Sequence, residues 1–166
     1  MNMRILIPLF MFFSWVALAH SAEQKEYVSP DGKYRAIVIS LSGGGESKVV
    51  IKTIKGKTLR SENYGSKDGE HGGVVEKAAW TPDSSFFVYS ISSSGGHQPW
   101  NSPIDYISVR DSKVRHLDDY IGTVTEPEFE LKAPDTIKAV GSKGSPEEAA
   151  RFEVSLSKLV MHEKKK

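Results

Sequence analysis

The chain has 166 residues, of which 39% are hydrophobic and 26% are charged, and its formal net charge is +1. A nearly neutral chain lacks the basic excess that contacts with phosphate groups require, so we expect no nucleic acid partner. The sequence contains no cysteine, which excludes disulfides, and stability must come from one apolar core. We expect no cofactor.

Residues 1–22 have the composition of a cleavable secretory signal. A positively charged start with Arg4 precedes an apolar run over residues 5–19, and the sequence turns polar at His20. The run is short for a membrane-spanning helix, which needs about 20 apolar residues. We therefore expect residues 23–166 to form a single β-rich domain that is periplasmic or secreted and has no stable membrane anchor. Removal of Arg4 leaves equal numbers of basic and acidic side chains.

A Pro-Asp dipeptide recurs with a spacing of 52 residues, at Pro30, Pro82 and Pro134. The first unit spans about residues 26–65 and reads as four strands joined by a Ser-Pro-Asp-Gly turn, a glycine loop and a turn at Gly56. Its predicted strands cover residues 26–28, 34–41, 48–54 and 58–64. The alternation of strands and turns predicts an antiparallel meander.

The second unit, about residues 74–122, repeats this plan with a longer polar loop in its middle. Its predicted strands cover residues 74–80, 86–91, 104–109 and 114–120. Trp80 ends the first of these strands and is predicted to pack in the core, whereas His116 has no visible partner. A third unit is partial: Phe129 precedes the last Pro-Asp pair, and one apolar stretch at residues 137–140 follows it.

The turn sequence [S/T]-P-D-[G/S] between apolar strands, seen at residues 29–34 and 80–86, resembles the WD40-like blade repeat of TolB-type β-propellers. The resemblance covers residues 26–122. It implies a mainly β fold of antiparallel four-stranded meanders, with two propeller-like blades plus a partial third. It implies little about function, because propeller blades host many unrelated activities. A closed propeller needs at least about four blades, which is more than this chain offers.

Residues 126–163 contain the partial third unit and, after it, a segment whose sequence predicts a C-terminal amphipathic helix. Ser145, Pro146 and Glu148 form a helix-start pattern, with a capping hydroxyl, a first-turn proline and an acidic residue three positions after the cap. One helical face then collects Ala149, Phe152, Leu156 and Leu159. The alternation of Phe152, Val154 and Leu156 also fits a strand. The capping pattern favours the helix, which would cover an exposed sheet edge.

In a meander, alternate loops lie at the same end of the sheet. The tight Pro-Asp and Lys-Gly turns share one end, and the opposite end collects four loops, at residues 42–46, 65–73, 92–103 and 122–126. Long loops on a rigid scaffold commonly carry binding residues. The loop at residues 92–103 combines two prolines, two glycines and Trp100, a side chain typical of interface anchors. The predicted contact residues are Ser94, His97, Gln98, Trp100 and Asn101, together with Asp68, Glu70 and His71 on the adjacent loop.

These observations favour an exported, non-enzymatic protein-binding module whose partner is another periplasmic or secreted protein. One version is an inhibitor or immunity-type protein that acts on an envelope enzyme. A metal-dependent or serine-type periplasmic hydrolase using His71 and His97 is an alternative, although no metal-ligand spacing or nucleophile motif supports it. A second alternative is a structural component of an envelope assembly, in which several copies associate into a propeller-like ring.

Overall fold

The computed structural model describes residues 23–41, 45–95 and 101–163. The predicted secretory signal and the predicted contact residues His97, Gln98 and Trp100 lie outside these ranges. Within them the chain forms three antiparallel sheets and ends in a short helix. The prediction of a mainly β fold built from blade-like meanders is confirmed.

The first sheet is a four-stranded meander in the order β1-β2-β3-β4. Its strands are β1 (Gln24–Val28), β2 (Tyr34–Ser40), β3 (Ser47–Thr53) and β4 (Thr58–Asn63). Side chains alternate between faces, and one face buries Ala36, Val38 and Val49 against the second sheet. The opposite face pairs Ile37 with Val50 across β2 and β3.

The second sheet repeats the meander and lies between the other two. Its strands are β5 (Gly73–Trp80), β6 (Phe86–Ser93), β7 (Ile104–Ser108) and β8 (Val114–His116). Phe87 and Tyr89 face the first sheet, and Phe86 and Val88 pack in the cluster that the third sheet completes. Burial on both faces explains why the first half of β6, residues 86–89, consists of aromatic and apolar side chains.

The prediction of a strand over residues 114–120 is wrong in its second half. β8 ends at His116, and a single helical turn, α1 (Asp118–Ile121), follows. The Asp118 carboxylate accepts hydrogen bonds from the backbone amides of Ile104 and Val124, at 3.3 and 3.2 Å. These bonds hold the chain in a turn and direct it into the third sheet.

The third sheet has the order β11-β10-β9, and it corrects where the predicted C-terminal helix begins, although a short C-terminal helix is present. Its strands are β9 (Thr123–Lys132), β10 (Thr136–Ser142) and β11 (Ala150–Ser155). The helix-start pattern forms only a 3-10 turn at Pro146–Glu148, and the helix α2 is confined to Leu156–Glu163. Phe152 and Val154 instead pair with Ala139 and Ile137 on β10, and the added strand packs both half-buried side chains against the core.

The helices in the described ranges are too short and too polar to serve as membrane crossings.

The repeated Pro-Asp turn has the same internal geometry in the first two units. The Ser29 hydroxyl donates to Asp31 Oδ1 and the Thr81 hydroxyl to Asp83 Oδ1, both at 2.7 Å. Each turn also bonds to the next unit: the Asp31 amide donates to Ser84 Oγ at 3.0 Å, and the Asp83 amide donates to the Pro134 carbonyl at 3.1 Å. The motif therefore shapes each hairpin and joins neighbouring sheets.

Trp80 packs between the first and second sheets, as predicted. Its side chain is buried, with the residue 8% exposed, and it lies against Tyr34 and Phe87 with ring centroids 6.2 and 5.2 Å apart. The indole nitrogen donates a hydrogen bond to the backbone carbonyl of Tyr27 at 2.8 Å. One aromatic side chain thus satisfies a polar group of the neighbouring sheet while it fills the core.

Candidate partner-binding site at the loop end

The loops between the second and third strands, and those between units, come together at one end of the molecule. We call this surface the loop end; its described parts are residues 45–46, 65–72, 94–95 and 101–103. The Ser94 amide donates to the Gly72 carbonyl at 3.0 Å, and the Ser102 amide donates to the Val124 carbonyl at 2.8 Å. The loops that the meander plan assigned to this end are therefore in contact.

Glu46 is the centre of the loop end. The residue is only 4% exposed, and its carboxylate accepts hydrogen bonds from three separate loop positions. The donors are the Ser66 amide at 2.7 Å, the Ser66 hydroxyl at 2.5 Å, the Gly72 amide at 2.7 Å and the Ser94 hydroxyl at 3.1 Å. The Ser66 hydroxyl bond, with the amide bonds, outweighs burial and lowers the pKa of Glu46. A charged, fully bonded carboxylate holds the three loops together.

Gly72 makes this close approach sterically feasible. A Cβ atom at position 72 would lie 2.2 Å from the Tyr64 carbonyl oxygen and 2.4 Å from Glu46 Oε1. Any larger residue would push the backbone away from the carboxylate, so glycine is required for the Gly72 amide to reach it.

Asp68 and His71 form an exposed pair on the rim. His71 Nδ1 lies 2.6 Å from Asp68 Oδ2, and the other oxygen of Asp68 accepts from the Glu70 amide at 3.1 Å. The Ser66 hydroxyl also lies 2.7 Å from Asp68 Oδ1, and its single hydrogen is donated to either Asp68 or Glu46 at a given moment. The Ser66 bond is the main cause of the lowered pKa of Asp68. The pair therefore presents a fixed negative group beside an oriented imidazole.

The loop end also contains an open depression. Its walls include Glu46, Ser66, Asp68, Lys48 and Lys67, and it encloses about 540 Å³. Glu70 also borders the depression and is exposed, as is His71 near its rim, whereas Ser94 and Asn101 are half-buried. Of the predicted contact residues, Asp68 and Glu70 line this depression, His71 contacts Asp68, and Ser94 bonds to Glu46.

The hydroxyl groups here bond to carboxylates and amides. Ser66 and Ser94 contact Glu46, and the ring nitrogen Nδ1 of His71 faces Asp68. Nucleophilic catalysis would need a hydroxyl bonded to a base. Ser66 and Ser94 lie within the described residues 45–95, and neither hydroxyl is hydrogen-bonded to an imidazole there. In the described ranges, no group of three or more His, Asp or Glu side chains is placed to hold a metal ion.

A second polar cluster was missed at the sequence level, where His116 had no visible partner. Asp105 lies directly opposite His116 on β8 and Tyr89 on β6. Its carboxylate contacts His116 Nδ1 at 2.6 Å and accepts from the Tyr64 hydroxyl at 2.6 Å, and Tyr64 bonds to Tyr89 at 2.7 Å. Folding the predicted hairpin about the middle of the turn at residues 110–112 would have placed position 105 opposite 117, one residue from His116.

Burial controls the electrostatics of this cluster. Asp105 is 2% exposed, and burial raises its pKa. The Asp105 carboxylate accepts a hydrogen bond from His116 and so raises the pKa of His116, whose side chain is 59% exposed. The ring of His116 is thus oriented by a buried carboxylate at the solvent edge of the sheet.

Comparison with known proteins gives a structural context only. No family model matches the chain, and no curated protein matches it. A puromycin hydrolase mutant is 13% identical over 80% of this chain and 20% of its own, with a TM-score of 0.49. A putative conserved lipoprotein from Clostridium novyi is 16% identical over 81% of this chain and 85% of its own, with a TM-score of 0.47.

A structure from a study of two prolyl endopeptidases is 17% identical over 82% of this chain and 27% of its own, with a TM-score of 0.39. All three of these neighbours are less than 25% identical to this chain. Their TM-scores lie below 0.5, so they carry no argument about what this chain does.

Proposed function

We propose that the chain is an exported, non-enzymatic protein-binding module that contacts its partner through the loop end. The observation that carries this proposal is the Glu46 carboxylate, which binds donors from three loop positions that are distant in sequence. Burying a carboxylate is costly unless all its bonds are made, and here they fix the shape of a surface.

A preformed surface binds more tightly than a mobile one because less conformational entropy is lost on association. The Glu46 bonds order residues 66–72, and the exposed side chains of that segment then project from a fixed backbone. Asp68 and Glu70 offer carboxylate acceptors, His71 offers a ring nitrogen, and Lys67 offers a cation at the same hollow. Such a mixed polar surface fits the rim of a protein interface.

The partner we propose is another periplasmic or secreted protein, and an envelope enzyme that this chain inhibits is the most specific version. His97, Gln98 and Trp100 lie outside the described residues and remain predicted contacts. Trp100 would supply the apolar anchor that the polar surface around Asp68 lacks.

The experiment is a quantitative pull-down from the envelope fraction of the producing organism with the full exported chain as bait. The loop-end variant combines Asp68→Ala, Glu70→Ala and His71→Ala. A matched control variant combines Lys55→Ala and Lys57→Ala at the turn end. We expect the loop-end variant to lose at least about 1.4 kcal/mol of binding, a tenfold loss of affinity, and the control to keep wild-type affinity.

Three outcomes would overturn the proposal. A partner that binds both variants equally would move the interface away from the loop end. Turnover in a broad esterase and phosphatase screen, with stoichiometric metal in the purified protein, would favour the hydrolase alternative. A stable oligomer of the chain alone, with no other protein bound, would favour the structural alternative.

A further inference from the structure

The third sheet ends in a strand whose outer edge is open. Among the described residues, β11 pairs with β10 on one side and with no strand on the other. In the first two sheets the corresponding third strands, β3 and β7, have an antiparallel fourth strand on that side. After β11 the chain instead enters α2. β11 therefore has the position of a strand that the other two units cover on both edges.

The hydrogen bonds between β10 and β11 show which backbone groups face the open edge. The Leu156 amide donates to the Asp135 carbonyl at 3.1 Å, which makes these two residues a hydrogen-bonded pair at the end of the ladder. Such pairs alternate along an antiparallel ladder, so every second residue of β11 directs its backbone groups toward β10. The residues between them, Arg151, Glu153 and Ser155, direct theirs outward. An exposed row of this kind is a template for another strand.

Two charged side chains decide which strand fits this edge. Arg151 and Glu153 are exposed, have opposite charges and lie on the same face of the strand. Among the described residues Arg151 forms no ion pair within 4.0 Å, whereas Glu153 contacts Lys138 at 3.1 Å. A fitting strand places a carboxylate opposite Arg151 and a cation opposite Glu153, because opposite charges across a strand pair stabilise it and like charges do the reverse.

β11 of a second copy meets this requirement. A two-fold axis places two copies of a strand antiparallel, and outward-facing residues must then lie opposite outward-facing residues. With Phe152 on the axis, Arg151 of each copy lies opposite Glu153 of the other. With Glu153 on the axis, two carboxylates face each other, and with Arg151 on the axis, two guanidinium groups do. Of these three registers, only the one centred on Phe152 pairs opposite charges.

The register centred on Phe152 also joins the apolar residues on the opposite face of the strand. Phe152 meets its counterpart on the axis, and Ala150 lies opposite Val154 of the other copy. Phe152 and Val154 are half-buried and pack against the core between the second and third sheets. Pairing removes more of their surface from water and so adds an apolar contribution to the charge pairs.

We propose that the open edge of β11 is a dimer interface, in which two copies of this chain pair their β11 strands antiparallel about Phe152 and form one continuous six-stranded sheet. The interface is a single strand edge, so we expect a dimer that dissociates on dilution. It differs from a ring of several copies, because two-fold pairing closes after two chains. The described lining of the loop-end depression includes no residue of β11, so dimerisation leaves that surface open.

The test is sedimentation equilibrium of the full exported chain over a dilution series. We expect a monomer–dimer equilibrium in the wild type. Arg151→Glu places a carboxylate opposite Glu153, and Glu153→Arg places a guanidinium opposite Arg151. Each single change should therefore raise the dissociation constant of the dimer at least about tenfold, which corresponds to about 1.4 kcal/mol. The double variant restores opposite charges and should recover a dissociation constant within about threefold of the wild type.

The register is tested with single cysteines, which the cysteine-free sequence allows without further changes. Phe152→Cys places the two introduced thiols opposite each other on the axis, at a Cα separation of about 4.5 Å that suits a disulfide. Val154→Cys is the matched control, because it is on the same face but lies opposite position 150 of the other copy. We expect oxidation to link two copies of the Phe152→Cys chain and to leave the Val154→Cys chain unlinked.

Four results would overturn the inference. They are a wild-type chain that stays monomeric up to about 1 mM, a dimer that ignores the single charge reversals, a double variant that does not recover, and equal crosslinking at positions 152 and 154. The loop-end variant should dimerise as the wild type does, and Arg151→Glu should keep its partner in the envelope pull-down. A monomeric wild type would leave the proposed function standing, and a failed pull-down would leave the dimer standing.

Discussion

Trp80 donates a hydrogen bond from its indole nitrogen to the backbone carbonyl of Tyr27, at 2.8 Å across the boundary between the first and second sheets. The same ring packs against Phe87 and Tyr34. One residue therefore joins two blade-like units through a polar contact and an apolar one.

Trp80→Phe separates these two contributions. Phenylalanine keeps an aromatic ring in the core but leaves the Tyr27 carbonyl without its donor, so we expect a loss of about 1–3 kcal/mol in the free energy of unfolding. Trp80→Ala also removes the ring and should cost about 3–5 kcal/mol. Urea denaturation of both variants measures the two contributions: an unchanged stability in Trp80→Phe would show that the hydrogen bond contributes nothing, and equal losses in the two variants would show that the ring adds nothing.

Asp135 has a different role from the aspartates of the first two turns. Its carboxylate accepts from the Ser157 amide at 2.8 Å and from the Ser155 hydroxyl at 3.0 Å, at the start of α2. Asp135→Ala should lower the free energy of unfolding by about 1–2 kcal/mol, because a buried cap is lost. Asp31→Ala, in the exposed first turn, should cost less; a larger loss for Asp31 in parallel urea titrations would contradict this ranking.

His116 makes stability depend on pH. The Asp105 carboxylate raises the pKa of His116 above its ordinary value of 6.5, so the folded state holds this proton more tightly than the unfolded state does. The resulting stability is complete below pH 6.5 and is lost as pH rises through the raised pKa. Burial also raises the pKa of Asp105. Stability therefore also falls as pH rises through the lower range in which Asp105 loses its proton.

We therefore expect the stability difference between the wild type and His116→Gln to be larger at pH 5.5 than at pH 8.5, as measured by urea unfolding in matched ionic strength. In an Asp105→Asn background, the same His116→Gln difference should vary little with pH. A difference that is constant across the range in the wild-type background would refute the coupling of this pair.

Local chemistry made part of the fold predictable from sequence. The Pro-Asp turns place their hydrogen bonds within five residues, at Ser29 with Asp31 and at Thr81 with Asp83 and Phe86, so the repeat could be recognised from residue types alone. The C-terminal segment could not be predicted in this way. Its capping pattern is local, but β11 forms because Phe152 pairs with Ala139 and completes a sheet.

The same distinction applies to the candidate site. The meander plan placed Asp68, His71 and Ser94 at one end, which the structure reproduces. Glu46 was not singled out, since its partners Ser66, Gly72 and Ser94 lie 20, 26 and 48 residues away in sequence. A lone glutamate in a glycine-rich loop carries no pattern that reveals such distant donors.

The most direct test of the account is hydrogen–deuterium exchange of wild type and Glu46→Gln, because the central claim is that this carboxylate holds the loop end in one shape. A glutamine side chain has only one acceptor oxygen, so its NH2 group faces either the Ser66 amide or the Gly72 amide, and peptides covering residues 65–73 and 94–95 should exchange faster. Peptides from β6, which the network does not touch, should be unchanged. Equal exchange in both proteins at residues 65–73, or a uniform rise over the whole chain, would contradict the claim that Glu46 organises this surface.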